Sequence, residues 1–193
     1  MPASNFADII IDNLDSAIGK DSSKFSKSTP DSANKAIADA ITSYLLDNTT
    51  ITVSYTGIIP GTPPSPDPVV VDILEIEGKC EPPGTATNFN DWILDLGAKI
   101  QNGFFLSKGK AGITTEVPKS IKCFTGLPLM IDRDSKLKSI HEGNIDNPQK
   151  AIWETICSEI IKWLNSISGI PFTGKNEKSG SKGSGTTTIT LVK

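Results

Sequence analysis

The stretch from Gly169 to Asn176, GIPFTGKN, comes within one residue of a phosphate-binding loop. Such a loop reads Gly-x-x-x-x-Gly-Lys followed by Ser or Thr, whose hydroxyl holds magnesium; Asn176 takes that last place here. The loop must also leave a strand and open a helix, so that backbone N–H groups and the helix dipole converge on phosphate. This stretch follows a helical apolar pattern, runs into Gly/Ser-rich sequence and contains Pro171. Gly169 therefore reads as a helix C-cap, with Pro171 blocking continuation. Nucleotide binding is not expected.

The other reactive residue types are equally sparse. His141 is the only imidazole, and no Gly-x-Ser-x-Gly elbow accompanies it, so a surface or loop histidine is the reading. Asp132-Arg133-Asp134 starts like a calcium loop, but Lys136 and Lys138 follow and the ligand spacing fails, which leaves a solvated turn. Asp91, Asp95, Glu154 and Glu159 fall on helices with strong apolar faces and serve to solvate them. Cys80, Cys123 and Cys157 are far apart, odd in number and without a C-x-x-C pair, which reads as reduced, buried thiols. Trp92, Trp153 and Trp163 sit at core-filling spacings. No catalytic residue, cofactor or metal site is expected.

The totals narrow the class further. The chain has 193 residues, 37% hydrophobic and 21% charged, enough for one modest core with long loops. A net charge of −3 provides no basic field for nucleic acid. The apolar runs are far too short to span a membrane. The first residues carry acids within their apolar stretch and no basic lead, unlike a signal peptide, so Asn48 in its Asn-Thr-Thr sequon is not expected to be glycosylated.

The elements that would position these residues follow from periodicity. A first helix is expected over 4–18, capped by Ser4, with Phe6, Ile9, Ile10, Leu14, Ala17 and Ile18 on one face. A second starts sharply at Thr29-Pro30-Asp31, and Ala33, Ala36, Ile37, Ala40, Ile41, Tyr44 and Leu45 recur at helical spacing. Ile51, Val53 and Tyr55 then alternate with Thr and Ser, as in a half-buried strand. Residues 51–56 and 69–76 are expected to pair as a hairpin, joined by a stiff loop that carries Pro60, Pro63, Pro64, Pro66 and Pro68. A third helix is expected from about Asn90 to Leu106, with Trp92, Ile93, Leu96, Ile100 and Phe104 inward, and then a poorly patterned stretch over 107–146 containing a strand-like SIKCFTG. The last helix is capped by Asn147, starts at Pro148 and buries Ile152, Trp153, Ile156, Ile160, Trp163, Leu164 and Ile167. Residues 174–185 have the composition of a flexible linker, and 186–193 form a β-prone end.

The expected fold is thus α+β: about four helices packed on a small antiparallel sheet, with a proline-rich loop and an extended C-terminal arm. Residues 1–168 form one domain, and 169–193 a Gly/Ser/Lys-rich linker with a terminal strand. That strand is expected at a sheet edge, in its own chain or a neighbour's. A stiff loop loses little entropy on docking, and a tethered strand can add to an open sheet, so Pro60, Pro63, Pro64, Pro66, Ile189 and Leu191 are the candidate partner-binding residues.

With TVSYTGIIPGTPPSPDPVVVD and NPQKAIWETICSEIIKWLNSI in view, the chain resembles the small virion structural proteins of tailed bacteriophages over roughly residues 30–193. The resemblance implies a non-enzymatic virion subunit of the tail, baseplate, neck or capsid surface, assembled in the host cytoplasm. Its partners would be other virion proteins and copies of itself, with no small-molecule substrate, membrane or nucleic acid. The alternative is a free cytosolic binding module, an adaptor or inhibitor that uses the proline-rich loop.

Overall fold

The computed structural model describes residues 2–18, 30–56, 69–109, 122–143, 145–166, 171–175 and 182–191. The proline-rich loop with Pro60, Pro63, Pro64 and Pro66 lies outside them, as do Thr29 and Ile167. The fold is α+β. In chain order the elements are α1 (Pro2–Ile18), α2 (Pro30–Asn48), β1 (Thr49–Thr56), β2 (Val69–Gly78), α3 (Phe89–Gly103) and β3 (Phe104–Gly109). There follow α4 (Arg133–Lys136), α5 (Lys138–Glu142), α6 (Pro148–Ser166), β4 (Pro171–Lys175) and β5 (Lys182–Leu191).

The helices form because their apolar residues repeat every three or four positions. α1 packs against both α2 and α6. The small Ala7, Ala36 and Ala40 are buried where α1 and α2 meet, and Phe6 stacks on Tyr44 with ring centroids 4.0 Å apart. Burial raises the Tyr44 phenol pKa above its ordinary value. At the rim, Lys150 Nζ reaches Asp8 Oδ1 at 2.7 Å. Ser4 lies within α1 rather than capping it, because the helix already begins at Pro2; its hydroxyl donates to Glu154 Oε1 at 2.9 Å instead. Ala17, expected inward, is exposed, and Ile9, Trp92, Ile152 and Trp153 are only partly buried. Leu14, Ile37, Ile41, Leu45, Leu96, Ile100, Ile156, Ile160, Trp163 and Leu164 are core residues as expected. Asn147 caps α6, its Oδ1 accepting from Lys150 N at 3.0 Å.

The five strands are ordered β3-β2-β1-β5-β4, with each neighbouring pair antiparallel. β1 and β2 form the expected hairpin, Ile51 opposite Leu74 and Thr56 opposite Val69. On the other side of β1 lies β5, in a continuous register from Thr49↔Leu191 through Ile51↔Ile189 to Thr56↔Ser184. The C-terminal strand therefore pairs within its own chain, and it is an interior strand. One set of alternate β1–β5 pairs is entirely hydroxyl: Thr50↔Thr190, Thr52↔Thr188, Ser54↔Thr186 and Thr56↔Ser184. β-branched threonine suits a pleated strand. The continuous backbone register with β1 holds so polar a segment in the sheet.

Two further expectations are corrected. The stretch read as linker contains β4 at 171–175 and the start of β5 at 182, because main-chain pairing with the neighbouring strand outweighs local Gly/Ser flexibility. The third helix ends at Gly103, and Phe104 and Leu106 belong to β3, where both are buried. Two glycines allow the change. Gly78 has φ 123°, which favours glycine, and a Cβ there would fall 2.0 Å from Gly103 O; a Cβ at Gly103 would fall 2.0 Å from Lys79 O. Lys79 N donates to Gly103 O at 2.9 Å across this crossing.

Candidate interaction surface

The residues that could do chemistry are mostly engaged elsewhere. Cys80, Cys123 and Cys157 are buried and free, and burial, the leading cause, raises all three thiol pKa values, that of Cys80 to about 12. Thiolate nucleophiles need the opposite environment. Asp95 Oδ2 accepts from Gly84 N at 2.6 Å, and Asp91 Oδ2 from Asn88 Nδ2 at 2.7 Å. Glu159 Oε1 takes Lys162 Nζ at 2.7 Å, and this hydrogen bond leads in lowering its carboxyl pKa. Among the described residues, no group of three His, Cys, Asp or Glu could hold a metal ion. His141 falls in the single-turn helix α5 rather than in a loop. Among the described residues, no helix is long and apolar enough to cross a membrane.

A surface site is instead built by the segment 122–136, which sequence periodicity leaves unassigned. Its start is tied to β3: Cys123 N donates to Phe104 O at 2.9 Å, and Phe124 packs edge-on against Phe104 with centroids 5.8 Å apart. Of the strand-like SIKCFTG, the described part makes a single bridge, Lys122 with Phe105. The next turn is clamped from two helices. Trp163 Nε1 of α6 donates to Leu127 O at 2.8 Å, and Gln101 Nε2 of α3 lies 3.3 and 3.4 Å from Gly126 O and Leu127 O. Leu129 then seats on Gly97, where a Cβ would fall 2.6 Å from the leucine's own Cβ.

That clamping sorts the side chains of Leu127-Pro128-Leu129-Met130-Ile131. Leu129 and Ile131 are buried, whereas Leu127 is 83% and Met130 75% exposed. Asp132 ends the run by capping α4, accepting from Asp134 N at 3.1 Å and Ser135 N at 3.3 Å. Hydrogen bonds from Ser135 are the main reason the Asp132 carboxyl pKa is below its ordinary value. The expected solvated turn at 132–134 is thus the start of a capped helical turn.

Between this run and the start of α3 lies a half-open cleft of about 550 Å³. Its apolar lining is Phe89, Ile93, Leu94, Met130 and Ile131, and its rim includes Arg133 and Asp134. The α3 wall is held by Asn88, whose Oδ1 accepts from Asp91 N at 2.9 Å, and by Trp92, whose Nε1 donates to Asn34 Oδ1 of α2 at 3.0 Å. A second hollow of about 360 Å³ shares Arg133 and Asp134 with the first and is otherwise lined by Leu137, Lys138 and Glu142. Arg133 is the only arginine of the chain and Met130 its only methionine besides Met1. Arginine and methionine are enriched in protein interfaces and lysine is depleted, so both rare side chains mark this spot.

The structure does not bring the sequence-derived candidates together here. Ile189 and Leu191 are register partners of Ile51 and Thr49 inside the sheet, and the four prolines fall outside the described residues. The residues of the cleft carried one sequence signal, the pairing of the sole arginine with the sole internal methionine next to an apolar run. Comparison with family models, with curated proteins and with solved structures finds no match.

Proposed function

We propose that the chain is a non-enzymatic structural subunit of a tailed-phage virion, holding neighbouring subunits through surface contacts. The observation that carries this reading is the clamped 126–131 turn. Leu127 and Met130 are held outward by two helices while Leu129 and Ile131 anchor the turn in the core. Ordering apolar side chains in water costs free energy that a lone monomer does not recover, whereas a pre-ordered contact loses less entropy when a partner covers it. The resemblance of the strand–proline loop–strand unit and of α6 to small phage virion proteins supports the virion as the setting. In this reading the proline-rich loop remains a contact element, and β5 completes the subunit's own sheet.

The test is quantitative mass spectrometry of purified particles from cells that produce the chain. A fixed stoichiometry with the major particle proteins is the expected result. A chain recovered only free, or bound to one cytosolic protein, would overturn the reading in favour of an adaptor or inhibitor.

A further inference from the structure

Asn102-Gly103, at the corner where α3 gives way to β3, is the only Asn-Gly pair of the chain. Such a pair carries a chemistry of its own. Gly103 has no Cβ to shield its backbone nitrogen, so that nitrogen can attack the side-chain amide of the residue before it. A bond forms from Gly103 N to Asn102 Cγ, the Cγ–Nδ2 bond breaks, and Nδ2 leaves as ammonia with the proton that Gly103 N gives up. Water then opens the cyclic imide at either of its two carbonyls. One opening leaves aspartate. The other leaves isoaspartate, in which the main chain runs through Cβ and Cγ and is longer by a carbon.

The folded corner opposes the first step. Asn102 and Gly103 both lie in α3, where backbone N–H groups point along the axis toward the preceding turn and away from the neighbouring side chain. Contacts from outside the helix hold its end in place. Lys79 N donates to Gly103 O at 2.9 Å, and Cys123 N to Phe104 O at 2.9 Å. Lys122 Nζ donates to Asn102 Oδ1, which ties the amide that must turn toward Gly103 to the strand-edge segment 122–123. Asn102 itself is exposed, so water reaches it as soon as the helix end opens.

The same geometry makes the longer product hard to fold. A Cβ on Gly78 would fall 2.0 Å from Gly103 O, and one on Gly103 would fall 2.0 Å from Lys79 O, so main chain meets main chain here with no spare room. A backbone carbon inserted just before Gly103 displaces Gly103 O from Lys79 N and shifts Phe104 against Gly78, its register partner in β2.

We infer that Asn102-Gly103 is a conformation-gated modification site: Gly103 N attacks Asn102 Cγ only when the end of α3 opens, and the isoaspartate left behind bars the corner from closing again. Chains that have once opened here are thereby marked and withdrawn from the folded pool.

The test is incubation of the full chain at mildly alkaline pH, with and without denaturing urea, followed by peptide mapping that separates Asn102 from its aspartate and isoaspartate products. The native chain should convert at least about tenfold more slowly than the unfolded chain, because only its opened fraction reacts. Lys122→Met removes the donor at an exposed position; native conversion should rise about two- to fivefold, the population change that one exposed charged contact supports, while the rate in urea stays the same. Chain aged in urea and then returned to buffer should divide into a folded fraction depleted in isoaspartate and a non-native fraction enriched in it. Freshly purified Asn102→Asp has the new charge without the added backbone carbon, and it should refold fully with its carboxylate beside Lys122. Equal rates in native and unfolded chain, or a Lys122→Met variant that converts no faster than wild type, would overturn the gating. Isoaspartate spread evenly between the folded and non-native fractions, or an Asn102→Asp variant that does not refold, would overturn the barrier to closing.

Discussion

Two segments of this chain look like connectors, and the molecule uses them in opposite ways. Seven of the ten residues of the stretch 182–191 are Gly, Ser or Thr, yet it is an interior strand between β1 and β4. The stretch 126–131 carries two leucines, a methionine and an isoleucine, yet it runs over the surface with two of those side chains in water. Hydrophobicity alone would have exchanged them. What decides is the backbone. Threonines at alternate positions match the hydroxyl residues of β1 in register, and β5 pairs with β1 along 184–191 and with β4 along 182–186, which satisfies much of its backbone. The 126–131 turn finds no strand, so its carbonyls are met by Trp163 and Gln101, and only alternate side chains can reach the core.

The comparison can be broken most severely at β5. A chain ending at residue 181 loses eight register pairs with β1 and the partner of β4. With net stabilities of only about 5–15 kcal/mol for a domain, this should abolish the cooperative thermal transition rather than trim a tail. A truncated chain that melts with wild-type midpoint and steepness would show that β5 is an accessory.

Leu164→Ala in α6, at a site with no exposure, should cost about 2–5 kcal/mol in urea unfolding, and Ile156→Ala a similar amount. An unchanged midpoint would mean that the α6 face has been misplaced.

Alkaline pH should act on the same core. The three thiols have folded-state pKa values raised by burial, so above the ordinary thiol range the unfolded chain releases protons that the native chain retains. Stability is therefore fully present below that range and falls as pH rises through it. Urea midpoints at neutral and alkaline pH, with thiol labelling of the native chain far slower than of the unfolded chain, provide the check.

Trp163→Phe should keep most of the buried ring but leave Leu127 O with only its longer 3.4 Å contact from Gln101 Nε2, at a cost of about 1 kcal/mol. The informative readout is local, since amide exchange in residues 126–131 should accelerate more than in α1 or α2. Smallest of all, Leu127→Glu and Met130→Glu should change folding stability by no more than about 0.5 kcal/mol, as for exposed positions generally. A larger loss from either would mean that the turn is displayed for the fold's own sake.

What sequence reading captures follows the same division between local and distant causes. The starts of α2 and α6 are visible because Pro30 and Pro148 sit where the helix lacks an N–H partner anyway. The β1–β2 hairpin is visible because alternation is a local pattern. Phe104 belongs to β3 although it lies four residues after Ile100, a spacing that helix and strand both permit. The contact between Gly78 and Gly103 that ends the helix joins distant parts of the chain. The linker reading of residues 174–185 gives way in the same manner at 174–175 and 182–185, since the partners of Ser184 and Gly185 are the distant Thr56 and Tyr55. The cleft was not legible as a site because its walls come from α3 and from the 127–134 segment, and only folding places Leu94 beside Met130. The proline-rich loop, plain in the sequence, has no counterpart among the described residues.

The interior place of β5 also orders events in time. On a ribosome, β1 and β2 emerge early, while β5 follows every other described element, on the order of ten seconds later at about 5–20 residues per second. Until then the edge of β1 that β5 will occupy presents bare N–H and C=O groups, a ready template for any extended segment nearby. The sheet is closed at its middle and closed last, so nascent chains crowded on one message can pair across that seam before each has made the strand that belongs there.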